Sequence, residues 1–133
     1  MTARSELTVR LAALATTLNL PVAYENNTFV KPVGNTPFLE MFVVPAVTLD
    51  VTTDGTRQRE LGYMQINVWC PTGSGTKQGE DIAYALKAAF PIIPIIGSTA
   101  ISSTPTIKQA IFDSSGGYRI IPVMFNYRLE TQS

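Results

Sequence analysis

Residues 60–90 read ELGYMQINVWCPTGSGTKQGEDIAYALKAAF, and this order of apolar and punctuating residues leaves few ways to fold. Residues 61–70 are an apolar-rich run as long as one strand, in which Tyr63, Met64, Ile66, Val68 and Trp69 favour the pleated, half-buried surface of a sheet. Pro71 stops the run, and Gly73 and Gly75 flank Ser74 in a loop. The period then becomes helical. Ile82, Ala85, Leu86, Ala89 and Phe90 share a face, with Thr76 placed to cap the first turn and Pro91 to end the last. Glu80 and Asp81 sit near the positive end of that helix. A strand that runs into a covering helix specifies a helix layer on a sheet layer.

Upstream, Leu7, Leu11, Leu14 and Leu18 recur at helical spacing, which predicts an amphipathic helix over 3–18, closed by Asn19 and Pro21. Residues 21–25 read as a short strand and 26–37 as a surface loop rich in Asn, Pro, Gly and Thr. Residues 38–46 form a second strand, almost continuously apolar, which predicts burial on both faces. A helix covers one face; the other requires a second helix or a neighbouring subunit. The chain turns polar over 48–59, with Asp54-Gly55 at the turn, so 38–70 is a long hairpin. Its free end carries Thr52, Thr53, Thr56, Arg57 and Arg59, with Val51 the one apolar residue among them.

Downstream, 91–97 reads as a proline-punctuated apolar connection and 98–106 as an irregular or edge strand, since Pro105 cannot donate to a ladder. A strand over 107–113, a turn at 114–117 and a final strand over 118–129 complete the chain. In that last strand Ile121, Val123, Phe125, Tyr127 and Leu129 share one face, while Pro122, Asn126 and Arg128 break up the other. The expected fold is α/β (α+β): two helices packed on a mostly antiparallel or mixed sheet of four to five strands, with a long projecting hairpin. Trp69 is expected to be largely buried against a helix or a neighbouring subunit.

Composition narrows the chemistry. A chain of 133 residues is most simply one domain. Ten Lys and Arg balance ten Asp and Glu, so no net field draws it to nucleic acid or anionic membrane. Its 15% charged content lies below the usual quarter or so. Either the domain is deeply cored or partner subunits cover part of its surface, and the second is favoured because a small domain has little interior. With no histidine and one cysteine, Cys70, the chain can form no intrachain disulfide, Cys/His zinc site or Cys–His catalytic pair. Cys70 reads as a small buried hydrophobe, in keeping with a reducing cytoplasm. The start, MTARSELTVR, lacks the pattern of a signal peptide, and no apolar run approaches the roughly twenty residues of a membrane span.

The motif search is equally bare. Gly73-Ser74-Gly75 lacks the glycine spacing and Lys-Ser/Thr end of a phosphate loop, and reads as a strand-to-helix turn. Glu80 and Asp81 are adjacent, so on a helix they point apart, unlike paired catalytic carboxylates. The serine pairs Ser102-Ser103 and Ser114-Ser115 have no histidine base. Basic residues are scattered, without the basic face that duplex binding needs. Neither an enzyme nor a cofactor, a metal, a membrane partner or sequence-specific nucleic-acid binding is expected.

The segments G-Y-M-Q-I-N-V-W-C-P and G-S-G-T, a helix containing A-x-A-L-K-A-A-F, the upstream V-A-Y-E-N-N-T-F-V-K-P and a small apolar strand ending at Pro45 together resemble the phage tail terminator family over 7–128. The resemblance implies one tail-terminator-like domain over 1–133. It also implies a virion structural protein that forms a ring, by analogy a hexamer, which caps the tail tube, ends its polymerisation and provides the surface for head joining. Its partners would be further copies of itself, the tail tube protein and a head-completion or neck protein, at the head-proximal end of the tail after assembly in the host cytoplasm. Asp54, Arg57, Arg59 and Glu60 at the hairpin end are the candidate contacts to an adjacent subunit or the tube. The alternatives are another neck or tail-completion protein or, in a different class, a small-molecule-binding α/β module or enzyme.

Overall fold

The computed structural model describes residues 3–25, 36–50, 55, 57–73, 76–96, 99–113 and 117–132. Most of the loop expected over 26–37, the hairpin residues Val51 to Asp54 and Thr56, the loop residues Ser74 and Gly75, and most of the turn at 114–117 lie outside these residues.

Two helices, α1 (Ala3–Leu18) and α2 (Lys77–Ala89), pack on a mixed sheet of β1 (Val22–Ala23), β2 (Phe38–Asp50), β3 (Arg57–Pro71), β4 (Ile93–Ile96), β5 (Thr99–Ile101), β6 (Thr106–Ile107), β7 (Ile111–Phe112) and β8 (Tyr118–Gln132). The strand order is β1-β2-β3-β8-β5-β4, with β6 and β7 also pairing with β8. β1 runs parallel to β2, and the other pairs are antiparallel. The sheet is dominated by β2, β3 and β8, of 13, 15 and 15 residues. β3 and β8 pair along their whole length, from Arg57 opposite Gln132 to Pro71 opposite Tyr118. The long hairpin is therefore one side of a three-stranded ribbon.

The alternation of β3 decides where the core lies. Met64, Ile66, Val68 and Cys70 are buried on one face; Tyr63, Gln65, Asn67 and Trp69 are half-buried on the other. The buried face joins Leu39, Met41 and Val43 of β2 to Ile121, Val123, Phe125, Tyr127 and Leu129 of β8. Both helices close this same face, α1 with Leu7, Leu11 and Ala15 and α2 with Ile82, Ala83, Leu86 and Phe90. At the N-terminal end of α2, a Cβ on Gly79 would come within 2.8 Å of Ile121 Cδ1 and 3.1 Å of Cys70 Sγ, so the helix sits close to the sheet there. Phe90 stacks on Phe125 at 4.9 Å between ring centroids.

Several local expectations change. α1 ends in a left-handed turn: Asn19 has φ +56° and the Leu20 N–H reaches back to the Ala15 carbonyl at 2.9 Å. Thr76 precedes α2 but makes no side-chain cap; its backbone is already helical, so its hydroxyl is not held over the first turn. Residues 93–96, expected as a connection, form an edge strand against β5, with an irregular register between Ile93 and Ile96 that accommodates Pro94. The strand expected over 107–113 is two pieces, β6 and β7, each pairing with β8 and separated at 108–110. Trp69 lies on the face away from both helices and is half-buried, because β3 alternation gives the helix side to Val68 and Cys70.

A bulge in β2 between Pro45 and Val47 changes the face of the residues beyond it. Before it, Val44 stands opposite Tyr63; after it, Val47 stands opposite Leu61 and Leu49 opposite Arg59. The extra residue turns Val47 and Leu49 away from the helices, where they are exposed.

Candidate interaction surface

The continuous apolarity of β2 is explained by a sheet with two different faces. On the side without helices, Phe38, Glu40, Phe42 and Val44 line up across from Trp69, Asn67, Gln65 and Tyr63. β8 continues the row with Ile120, Pro122, Met124 and Asn126. Among the described residues no element layers over this face. Its side chains are nevertheless held in place. Phe38 is buried, stacked on Trp69 at 5.2 Å, and both meet the Tyr118 edge at 5.4 and 5.7 Å. Gln65 donates to Asn67 Oδ1 at 2.9 Å, and Asn67 and the Trp69 indole N–H both donate to Glu40 Oε1, at 3.0 and 3.1 Å. An aromatic cluster braced by a hydrogen-bonded chain is a pre-ordered surface, and pre-ordering lowers the entropy cost of binding.

At the hairpin end this face becomes charged. Arg59 donates from Nε and Nη2 to Glu130 Oε1, at 3.1 and 2.7 Å. Arg57 Nη2 stands 3.5 Å from Glu130 Oε2 and Arg128 Nε 3.8 Å from Oε1. The Arg59 hydrogen bond, opposed by burial and reinforced by the charges of Arg59, Arg128 and Arg57, holds the Glu130 carboxyl below its ordinary range. Three cations thus gather around the Glu130 carboxylate.

The four residues singled out from sequence are thus divided. Arg57 and Arg59 share the helix-free face with Glu130, which sequence reasoning missed because it is 71 residues from Arg59 and only strand register joins them. Glu60 is on the helix side, where it accepts the Tyr127 hydroxyl at 2.8 Å. Burial first, then that hydrogen bond and the Glu60 charge, push the Tyr127 hydroxyl well above the usual tyrosine range. Asp54 is outside the described residues.

A second cluster, also unforeseen, sits on the outer edge of β2. Arg4 pairs with Glu25 at 2.8 Å. Arg4 Nη2 also donates to the Val43 carbonyl at 3.0 Å, and the Val43 N–H donates to Glu25 Oε1 at 2.5 Å. Burial opposes ionisation of Glu25, but the Arg4 hydrogen bond, the Val43 N–H and the Arg4 charge outweigh it and lower its pKa. Beside this cluster, Ala3, Arg4, Val43, Pro45, Glu60 and Tyr127 line a crevice of about 320 Å³. Among the described residues no three Cys, Asp or Glu side chains are grouped as a metal ion would require.

A family model described as phage tail terminator protein matches residues 3–127. No curated protein matches the chain in sequence. Among solved structures, one protein shares 27% identity and a TM-score of 0.73, over 98% of this chain and 94% of its own. A chain from the virion of a native gene transfer agent particle is 16% identical with a TM-score of 0.61, over 97% of this chain and 95% of its own; the likeness there is one of fold.

Proposed function

The chain belongs to the phage tail terminator family, and from that premise we propose that its copies join into a ring, by analogy six-membered, that caps the tail tube, ends tube polymerisation and offers a surface for head joining. The carrying observation is the helix-free face of β2, β3 and β8, which is broad, half-apolar and pre-ordered by the Gln65–Asn67–Glu40–Trp69 chain. A neighbouring subunit or the tube end is what fits it. Assembly of this kind needs shape complementarity and burial of apolar area, with no cofactor and no bond-making step. On this reading the protein sits at the head-proximal end of the tail in the virion. The likeness in fold to a chain of a gene transfer agent virion supports a place in a virion.

The charged end of the face supplies register. Arg57 and Arg59 share Glu130 within the chain, and at the end of the ribbon they are the proposed contacts to carboxylates of an adjacent subunit or the tube. Asp54 and, from the helix side of the ribbon, Glu60 complete the proposed contact set. Repeated around a ring, such contacts add through effective concentration even when each is weak.

The test is mass in solution by light scattering, with and without purified tail tubes, combined with electron microscopy of tube ends. Closed rings seated on tube ends are expected. A protein that stays monomeric at all concentrations and ignores the tubes would overturn the proposal.

A further inference from the structure

The outer edge of β2 is closed along its first half and open along its second. Along a strand in a ladder, alternate residues turn their N–H and C=O toward the neighbour and away from it. Leu39 and Val43 are outward residues, and both are engaged. The Leu39 N–H donates to the Pro21 carbonyl at 2.9 Å. The Val43 N–H and C=O are taken by Glu25 and Arg4, so the Arg4–Glu25 ion pair imitates one rung of a further strand. Pro45, the next outward residue, has no N–H at all. Proline and side-chain plugs are how sheets refuse an added strand. Here the refusal stops at Pro45. Past the bulge the outward residues are Thr48 and Asp50, and no described residue pairs with their backbone.

The other side of the ribbon has a matching gap. β8 turns its even-numbered residues away from β3. Asn126 is satisfied by the Ser103 hydroxyl and the Ser102 N–H, and Arg128 pairs with Ala100 of β5. Glu130 and Gln132 come next, beyond the end of β5 at Thr99, and no described residue pairs with their outward backbone groups. The two gaps are level, because Asp50 stands opposite Gln58 and Gln58 opposite Thr131.

We propose that the open edge of β2, residues 45–50, receives the open edge of β8, residues 130–132, of a second copy, so that the sheet continues from subunit to subunit. This rests on the ring reading above and names the contact that builds the ring. Both strands are antiparallel to β3, hence parallel to each other, and a copy rotated about an axis along the strands presents β8 to β2 in a parallel pair. Unlike edges make a head-to-tail contact, which closes into a ring; like edges would pair two copies and stop. A second copy is the fitting occupant because one chain carries both edges, at the same height, with two outward residues each. The arriving strand also accounts for Val47 and Leu49, exposed at 45% and 46% on the helix-free face of the receiving edge. The side chains of Arg128 and Glu130 from the second copy lie on that face and lay their stems across them.

Proline at an outward position removes only the intersubunit donor, and Pro45 and Pro122 already occupy such positions in β2 and β8. Thr48→Pro therefore closes the β2 edge and Gln132→Pro the β8 edge, each within a folded chain shown by circular dichroism and an unchanged urea midpoint. Each variant alone should need about tenfold or more protein to form the ring, with or without tubes. Mixed in equal amounts they should give a species of two chains and nothing larger, since the mixture holds one working pair of edges. Amide exchange on the wild type gives a second readout free of variants: the Thr48, Asp50, Glu130 and Gln132 amides should slow on assembly. Normal rings from both variants, or unchanged exchange at those four amides in assembled wild type, would refute strand addition while leaving the ring reading standing. Loss of assembly in Thr48→Pro but not Gln132→Pro would also refute it, in favour of like-edge pairing or a strand from another protein. A wild type monomeric in every condition would sink the ring reading and this one together.

Discussion

Gly62→Ala should be among the more damaging single-methyl changes in this protein, and the reason is space rather than backbone conformation. Gly62 sits where β2 bulges past β3, opposite Pro45 and Tyr127. A Cβ built there lies 2.5 Å from the Val44 carbonyl oxygen, 2.6 Å from the Tyr127 hydroxyl and 2.7 Å from Tyr127 Cζ. The first is backbone held in the ladder and the second is a buried ring fixed by Glu60. Overpacking of this kind costs about 1–3 kcal/mol. Displacing the Tyr127 hydroxyl from Glu60 adds about 1 kcal/mol. With a urea slope of about 2 kcal/mol/M, a total of about 2–4 kcal/mol lowers the midpoint by roughly 1–2 M with the slope unchanged. Gly73→Ala is the contrasting control: its φ is +89° with nothing within 4 Å of a new Cβ, so only backbone strain of about 1 kcal/mol is expected. A Gly62→Ala midpoint equal to that of the wild type would refute the close approach of β2, β3 and Tyr127.

Truncating Ile66 or Val68, both fully buried in β3, to alanine should cost about 2–4 kcal/mol in the same urea assay, and unchanged midpoints for both would contradict the placement of the core. The Glu25 latch should be pH-dependent. Its pKa is lowered by folding, so its contribution is present above the ordinary glutamate range and is lost as pH falls through the folded value. The stability gap between wild type and Glu25→Gln should accordingly be widest near neutrality and shrink on acidification; a gap independent of pH would show that the carboxylate does not act as an ion there. Replacing Arg57 and Arg59 together by serine should leave the urea midpoint almost unmoved, since exposed ion pairs add little to stability, but should weaken ring formation or tube capping at low salt, with the difference from wild type shrinking as added salt screens the charges. Assembly by the double variant equal to the wild type across salt would reduce the hairpin end to a solvated ribbon.

The sequence by itself determined the elements whose signal is local. Leucines every three to four residues placed α1 at the boundaries the structure shows, and the switch from strand to helix period at Pro71 placed β3 and α2. The alternation of Ile121 through Leu129 marked the dry side of β8. These readings hold because periodicity reports which face is buried, whatever does the burying. What covers the second face of β2 was open between a helix and a subunit, and tertiary structure removed the helix by putting both α1 and α2 on the other side. Register lay beyond sequence for the same reason: Glu130 reaches Arg57 and Arg59 only because β3 and β8 pair residue for residue, and Arg4 and Glu25 meet at Val43 only once α1 and β2 are in place. The bulge between Pro45 and Val47 turned an apolar pair outward that periodicity alone would have assigned to the core. One inserted residue is invisible in composition, yet in a structure of period two it exchanges the faces of everything beyond it.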